Sequence, residues 1–196
     1  FLDWNTADPT FSVIDYEVQV DDSALFTLPL VWSATVLPSE ATTPALPDGT
    51  YFWRVRWRNA DGFSPFSVVR SFTVDVTPPS VPVLLSPPDG STMGLPAVPL
   101  DWADSTDATS GVQDYDVQVD SDPGFLVPID WFATVIPSNA TTASLIDAVY
   151  FWRVRARDRA GNVSAFALAW SFSVLSNPSR WQAVLPGSDT GGGISG

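Results

Sequence analysis

The chain repeats itself, and that repeat constrains what it can fold into more than any other feature. PLDW at 99–102 answers FLDW at 1–4, and QDYDVQVD at 113–120 answers IDYEVQVD at 14–21. ATVIPSNATT at 133–142 answers ATVLPSEATT at 34–43, and YFWRVRAR at 150–157 answers YFWRVRWR at 51–58. The offset grows from 98 (Trp4 to Trp102) through 99 (Trp53 to Trp152) to 100 (Phe72 to Phe172). Drift this slow is the mark of single-residue loop changes on two copies of one fold. The 196 residues therefore divide into a domain over 1–77, a domain over 78–176 and a tail over 177–196.

Inside each copy the apolar period is two, which predicts strands. Tyr16, Val18 and Val20 alternate with Asp15, Glu17 and Gln19, while Tyr51, Trp53, Val55 and Trp57 alternate with Phe52, Arg54, Arg56 and Arg58. The second copy repeats the pattern with Tyr150, Trp152, Val154 and Ala156 inward. Pro and Gly fall mostly between these runs, as in PDG at 47–49 and SPPDGS at 86–91. The expected fold class is all-β, two tandem β-sandwiches. Their cores should centre on Trp4, Tyr16, Val18, Trp53 and Val55, and on Trp102, Tyr115, Val117, Trp152 and Val154.

Composition removes several chemistries. The chain has no Cys and no His, so it can build neither Ser-His-Asp nor Cys-His catalysis and lacks the usual ligands of zinc, haem and iron–sulfur centres. Lys is absent as well, and 22 acids against nine Arg leave a net charge of −13, which argues against nucleic acid as a partner. No run of 18 apolar residues suggests membrane insertion. No catalytic residue, cofactor or metal is expected.

The chain resembles fibronectin type III domains over nearly all of both copies, which implies two immunoglobulin-like sandwiches. The matching residues are a Trp ending an early strand (Trp4, Trp102), a Tyr two residues before a Val (Tyr16, Tyr115) and LPDGTY at 46–51. The last of these looks like a tyrosine corner, in which a phenol hydroxyl ties the strand start to nearby backbone. In the second copy Ala148 stands where Gly49 would recur, which puts that corner in question. RARDRAGNVS at 155–164 resembles the final hairpin of the family. Domains of this kind recur in secreted prokaryotic proteins, so the resemblance implies an extracellular or cell-surface setting and says little about function.

A complete copy begins with a first strand, which the second domain supplies at 81–85 and the first lacks. Residues 178–186, PSRWQAVLP, align with 78–86 at an offset of 100. The tail thus reads as a first strand without its own domain, with a Gly-rich connector behind it. This predicts donor-strand assembly, in which the tail of one copy completes the first domain of the next and builds a head-to-tail filament of identical subunits. Trp181, Ala183 and Leu185 share one face of that strand and Val184 the other, so Trp181 and Leu185 are the expected anchors if their face points inward. The alternative is a carbohydrate-binding, adhesive or spacer module of a larger secreted protein or enzyme.

The remaining candidates have bland readings. The Arg stripes should pair with Asp15, Glu17, Asp114 and Asp116 across neighbouring strands, which explains them better than an anion site. Asp101, Asp104, Asp107, Asp120 and Asp122 are dense enough to suggest calcium but fit no established calcium loop. Trp32, Trp131, Phe132 and Trp170 are candidates for stacking on glycans, and edge or subunit contacts account for most of them. Asn139-Ala140-Thr141 and Asn162-Val163-Ser164 fit the N-glycosylation pattern in expected loops.

Overall fold

A computed structural model describes residues 1–7, 10 and 12–176. The donor-strand residues Trp181, Ala183, Val184 and Leu185 lie outside the described residues. The chain forms two compact units. One holds residues 1–80 with 105–113 and 157–164, and the other holds 81–104 with 114–156 and 165 onward.

In the first copy the strands are β1 (Leu2–Asp3), β2 (Asp15–Asp21), β3 (Trp32–Val36), β4 (Glu40–Ala41), β5 (Gly49–Asn59), β6 (Gly62–Phe63) and β7 (Arg70–Val74). They make two layers. β1 pairs with β4, and opposite them runs the sheet β3-β2-β5, with β6 and β7 taking the far edge of β5 in turn. Tyr16, Val18, Val20, Tyr51, Trp53 and Val55 are buried between the layers with Leu2 and Ala41. Period-two alternation places them there, because successive side chains leave a strand on opposite faces.

The opposite face of β2 and β5 is a ladder of charge pairs. Asp15 faces Arg58, Glu17 faces Arg56 and Gln19 faces Arg54. Arg56 Nη2 lies 2.6 Å from Glu17 Oε2, Arg58 bonds Asp15, and Arg54 donates to Gln19 at 2.9 Å. Each guanidinium also stacks on an aromatic ring, Arg54 at 4.0 Å from Phe26 and Arg56 at 4.0 Å from Phe63. These arginines are occupied on both counts, as cross-strand pairing predicts.

The second copy is the fuller sandwich. Its strands are β8 (Val83–Ser86), β9 (Ser91–Met93), β10 (Pro99–Ala103), β11 (Val112–Asp120), β12 (Trp131–Val135), β13 (Asn139–Thr141), β14 (Val149–Asp158) and β15 (Trp170–Val174). One layer runs β13-β10-β8 and the other β12-β11-β14-β15-β9. Leu100, Trp102, Val117, Val119, Trp152, Val154, Phe172 and Val174 are sealed between them. The charge ladder recurs, with Arg155 on Asp116 at 2.9 Å and Arg153 on Gln118 at 2.9 Å.

Both copies close a tyrosine corner. The Tyr51 hydroxyl donates to the Pro47 carbonyl at 3.0 Å, and Tyr150 donates to Ile146 at 3.2 Å. Ala148 is therefore no obstacle, since the bond runs from the phenol to a carbonyl four residues back and uses nothing from the glycine position. Burial, with the charge of Asp130 second, pushes the Tyr150 hydroxyl up from its ordinary value and keeps it a donor.

Candidate functional site

The two copies differ most where a first strand belongs. In the second, β8 lies against β10, with Trp102 opposite Leu84 and Ala103 opposite Val83. The chain then crosses to the other layer, where β9 runs parallel to β15 with Phe172 opposite Ser91 and Val174 opposite Met93. In the first, no described residue occupies either position. β1 pairs with β4 alone and β7 with β5 alone.

Burial follows that difference residue by residue. Trp102 is 1 % exposed, and Phe172 and Val174 are fully buried. Their counterparts Trp4, Phe72 and Val74 are only half-buried, packed against the edge of the core. Trp4 is thus a flank of the core and not its centre, a correction to the expectation from pattern alone. Alternation reports which face a residue is on, not whether anything covers that face.

Beside Trp4 lies a groove of about 510 Å³ lined by Trp4, Tyr16, Val55, Trp57, Phe66 and Arg70 among others, and it does not reach Phe72 or Val74. A second hollow of about 320 Å³ continues it past Asp3, Trp53 and Val68. Half-buried Trp57 lines the groove in the first copy, where the second has the fully buried Ala156. On the β5 side of the groove the backbone is already engaged, Val55 by Ser67 and Trp57 by Ser64.

The expected calcium candidates do not converge. Asp101 and Asp104 are exposed, Asp120 is buried beneath the Asp122 amide, and Asp122 caps the Gly124 amide at 2.9 Å. Among the described residues the carboxylates that do gather, within 4.8 Å of one another, belong to Asp75, Asp107 and Asp158. Each already accepts hydrogen bonds. Asp107 Oδ1 takes the Ser110 and Gly111 amides at 2.9 and 2.7 Å, Asp75 Oδ2 the Ser110 amide at 3.1 Å, and Asp158 both nitrogens of Asn162 at 2.8 and 2.9 Å. Asp75 and Asp158 escaped the sequence reading because they come from segments far apart in the chain.

The aromatic candidates separate in the same way. Trp32, Trp131 and Trp170 are half-buried, and Trp170 meets Trp152 edge-on at 6.4 Å. Phe132 alone of the four is open, at 73 % exposure. Asn139 is exposed but sits on β13 and not in a loop, opposite Asp101 of β10. Asn162 spends its side-chain nitrogen on Asp158 Oδ2 at 2.8 Å and the Asp75 carbonyl at 3.1 Å, so a glycan there would break both bonds.

Among solved structures, the FN1–FN3 domains of chicken CNTN1 superpose with a TM-score of 0.52 over 82 % of this chain and 55 % of theirs, at 16 % identity. The fold is fibronectin type III-like. Fibronectin(III)-like modules of Clostridium thermocellum CbhA align over 86 % of this chain and 82 % of theirs, at 18 % identity and a TM-score of 0.48. Endoglucanase B of Cellulomonas fimi is 33 % identical over 153 residues. That match takes in 74 % of this chain, and the chain spans 14 % of the length of that protein. No protein-family model matches the chain. The two fibronectin type III-like sandwiches thus share sequence with a short stretch of a much longer protein.

Proposed function

We propose that the chain serves as a non-catalytic pair of fibronectin type III-like modules, a spacer within a larger extracellular protein of the kind that carries polysaccharide-degrading domains. The observation that carries this is the resemblance to a small part of Endoglucanase B, which is what a module reused beside other domains produces. Spacing is favoured over glycan binding because no described Trp is exposed, and flat stacking on sugar needs rings open to solvent. The sequence has neither Cys nor His, and Arg54, Arg56, Arg58, Arg153 and Arg155 are held in the ladders, which favours a structural role over acid–base or nucleophilic work.

The test is to incubate the full chain with insoluble cellulose, chitin and xylan, measuring protein left in solution and reducing sugar released. The expected result is full recovery in solution and no sugar release. Retention that disappears in Phe132→Ala would favour a carbohydrate-binding module instead.

A further inference from the structure

We propose that the outer edge of β12 is a dimerisation site, and that its occupant is the same edge of a second copy of this chain. Such a contact concerns how one module meets another, and so goes beyond a spacer role.

β12 ends its sheet. In the order β12-β11-β14-β15-β9 it pairs with β11 on one side, and no described strand lies on the other. None of the described backbone bonds outside the strands involves residues 131–137. An edge of this kind presents alternate backbone donors and acceptors to whatever comes alongside, and folded proteins usually blunt it with a charge, a proline or a bulge. Here residues 131–136 carry no ionisable side chain and no proline, and Pro137 falls just past the strand.

The side chains reinforce that openness. Phe132, Thr134 and Ile136 are spaced two apart and are all exposed, the two apolar ones at 73 % and 79 %. Nothing beside them carries an unbalanced charge. The Thr134 hydroxyl donates to Asp116 at 2.8 Å, and Asp116 is paired in turn with Arg155.

Two features select a second copy as the occupant. The first is charge, because chains of net charge −13 repel one another, and a neutral strand is where two of them can touch at least cost. The second is the order of residues along the strand. Antiparallel pairing centred on Thr134 sets Phe132 of each copy opposite Ile136 of the other and Ala133 opposite Val135, with Thr134 opposite its own counterpart. Each apolar residue from 132 to 136 then meets an apolar one, and a two-fold contact of this kind closes as a dimer. The first sandwich lacks this match. Its strand β3 has Thr35 and Leu37 in the corresponding places, but Ser33 stands where Phe132 does, so the same rotation would set a hydroxyl against Leu37. One strand pair buries little area, so the dimer should be weak, with a Kd on the order of 100 µM.

The experiment is sedimentation equilibrium on the full chain without polysaccharide, from about 10 µM to about 1 mM, with variants at the two exposed apolar positions. The wild type should pass from monomer to dimer and go no further. Phe132→Glu and Ile136→Lys should each weaken the dimer at least about tenfold, since each sets a charge against an apolar side chain of the partner. Mixed, the two single variants should pair with each other. The double variant should regain self-association, because the introduced carboxylate of one copy then faces the introduced ammonium of the other. Both positions are exposed, and circular dichroism verifies that every variant is folded. A wild type that stays monomeric to the highest concentration would overturn the proposal, as would growth beyond a dimer. Loss in both single variants with no recovery in the double variant would overturn it too, because positions 132 and 136 would then not face each other. No polysaccharide is present in these measurements, so this proposal and the spacer reading fail separately.

Discussion

The indole of Trp4 meets the ring of Tyr16 edge-on, with centroids 5.6 Å apart and planes at 64°. Trp102 meets Tyr115 in the same way, at 5.5 Å and 67°. The two pairs are built alike from the residues between them, and differ in what lies over the indole. One sequence pattern has thus made two Trp–Tyr pairs of nearly equal geometry and unequal burial, and the expected behaviour of the protein follows from that inequality.

Uncovered strands should exchange first. In native-state hydrogen exchange, amides of β7 should lose protection faster than those of β15, because β15 has a strand on each side and β7 has one. Equal protection of β7 and β15 in dilute solution would contradict the open edge.

The buried indoles should dominate core stability. Trp152→Ala empties a fully enclosed site and should cost about 3–5 kcal/mol, whereas Trp53→Ala, beside the groove, should fall at the low end of that range. Denaturant unfolding of each variant, followed by fluorescence, gives the comparison. A larger loss at Trp53 would mean that the groove is closed in solution.

Across the sheet from Trp53 the cost should be small. Arg56 is partly open to solvent, pairs with Glu17 and stacks on Phe63, so Arg56→Ala should cost about 1 kcal/mol or less. Losses at Arg56 as large as at Trp53 would show that the register of β5 is wrong.

Both tyrosine corners should register by the loss of one hydroxyl. Tyr51→Phe and Tyr150→Phe each remove a donor to a backbone carbonyl and should cost about 1 kcal/mol. If Tyr150→Phe were neutral while Tyr51→Phe was not, the corner would not close over Ala148.

Acid should weaken the protein through Asp158. Burial by itself would raise the Asp158 carboxyl, but hydrogen bonds from Asn162, Gly161 and Ala160 outweigh it and hold the group below the usual carboxylate range. A carboxyl lowered on folding stabilises above its unfolded value, about pH 4, and that stability is lost as pH falls through the folded value. Asp89, lowered by the amide and hydroxyl of Ser171, acts in the same direction. Asp158→Asn should be less stable at pH 7, where its amide faces the Asn162 donor, and should show a flatter stability profile between neutral and acid pH. An unchanged profile would remove Asp158 from the account.

Much of this architecture was legible in the residues. Alternation in DYEVQVD and YFWRVRWR named the strands, the buried faces and the Arg–acid ladders, because strand geometry turns a period of two directly into two faces. The repeat marked two copies of one sandwich. Asn139 was misplaced in a loop because a three-residue edge strand has too few alternations to announce itself. The acidic trio of Asp75, Asp107 and Asp158 could not be foreseen, since nothing along the chain marks three distant turns as neighbours.

By itself, then, the sequence determined where the long strands run and which of their faces turn inward, both consequences of local period, while composition limited the available chemistry. Tertiary structure alone decided how deeply each inward face is covered. Trp4 and Trp102 carry the same local signal, and only the presence of β8 over one of them seals it. Cover is a property of what another segment of chain does, and no local period in the sequence reports it.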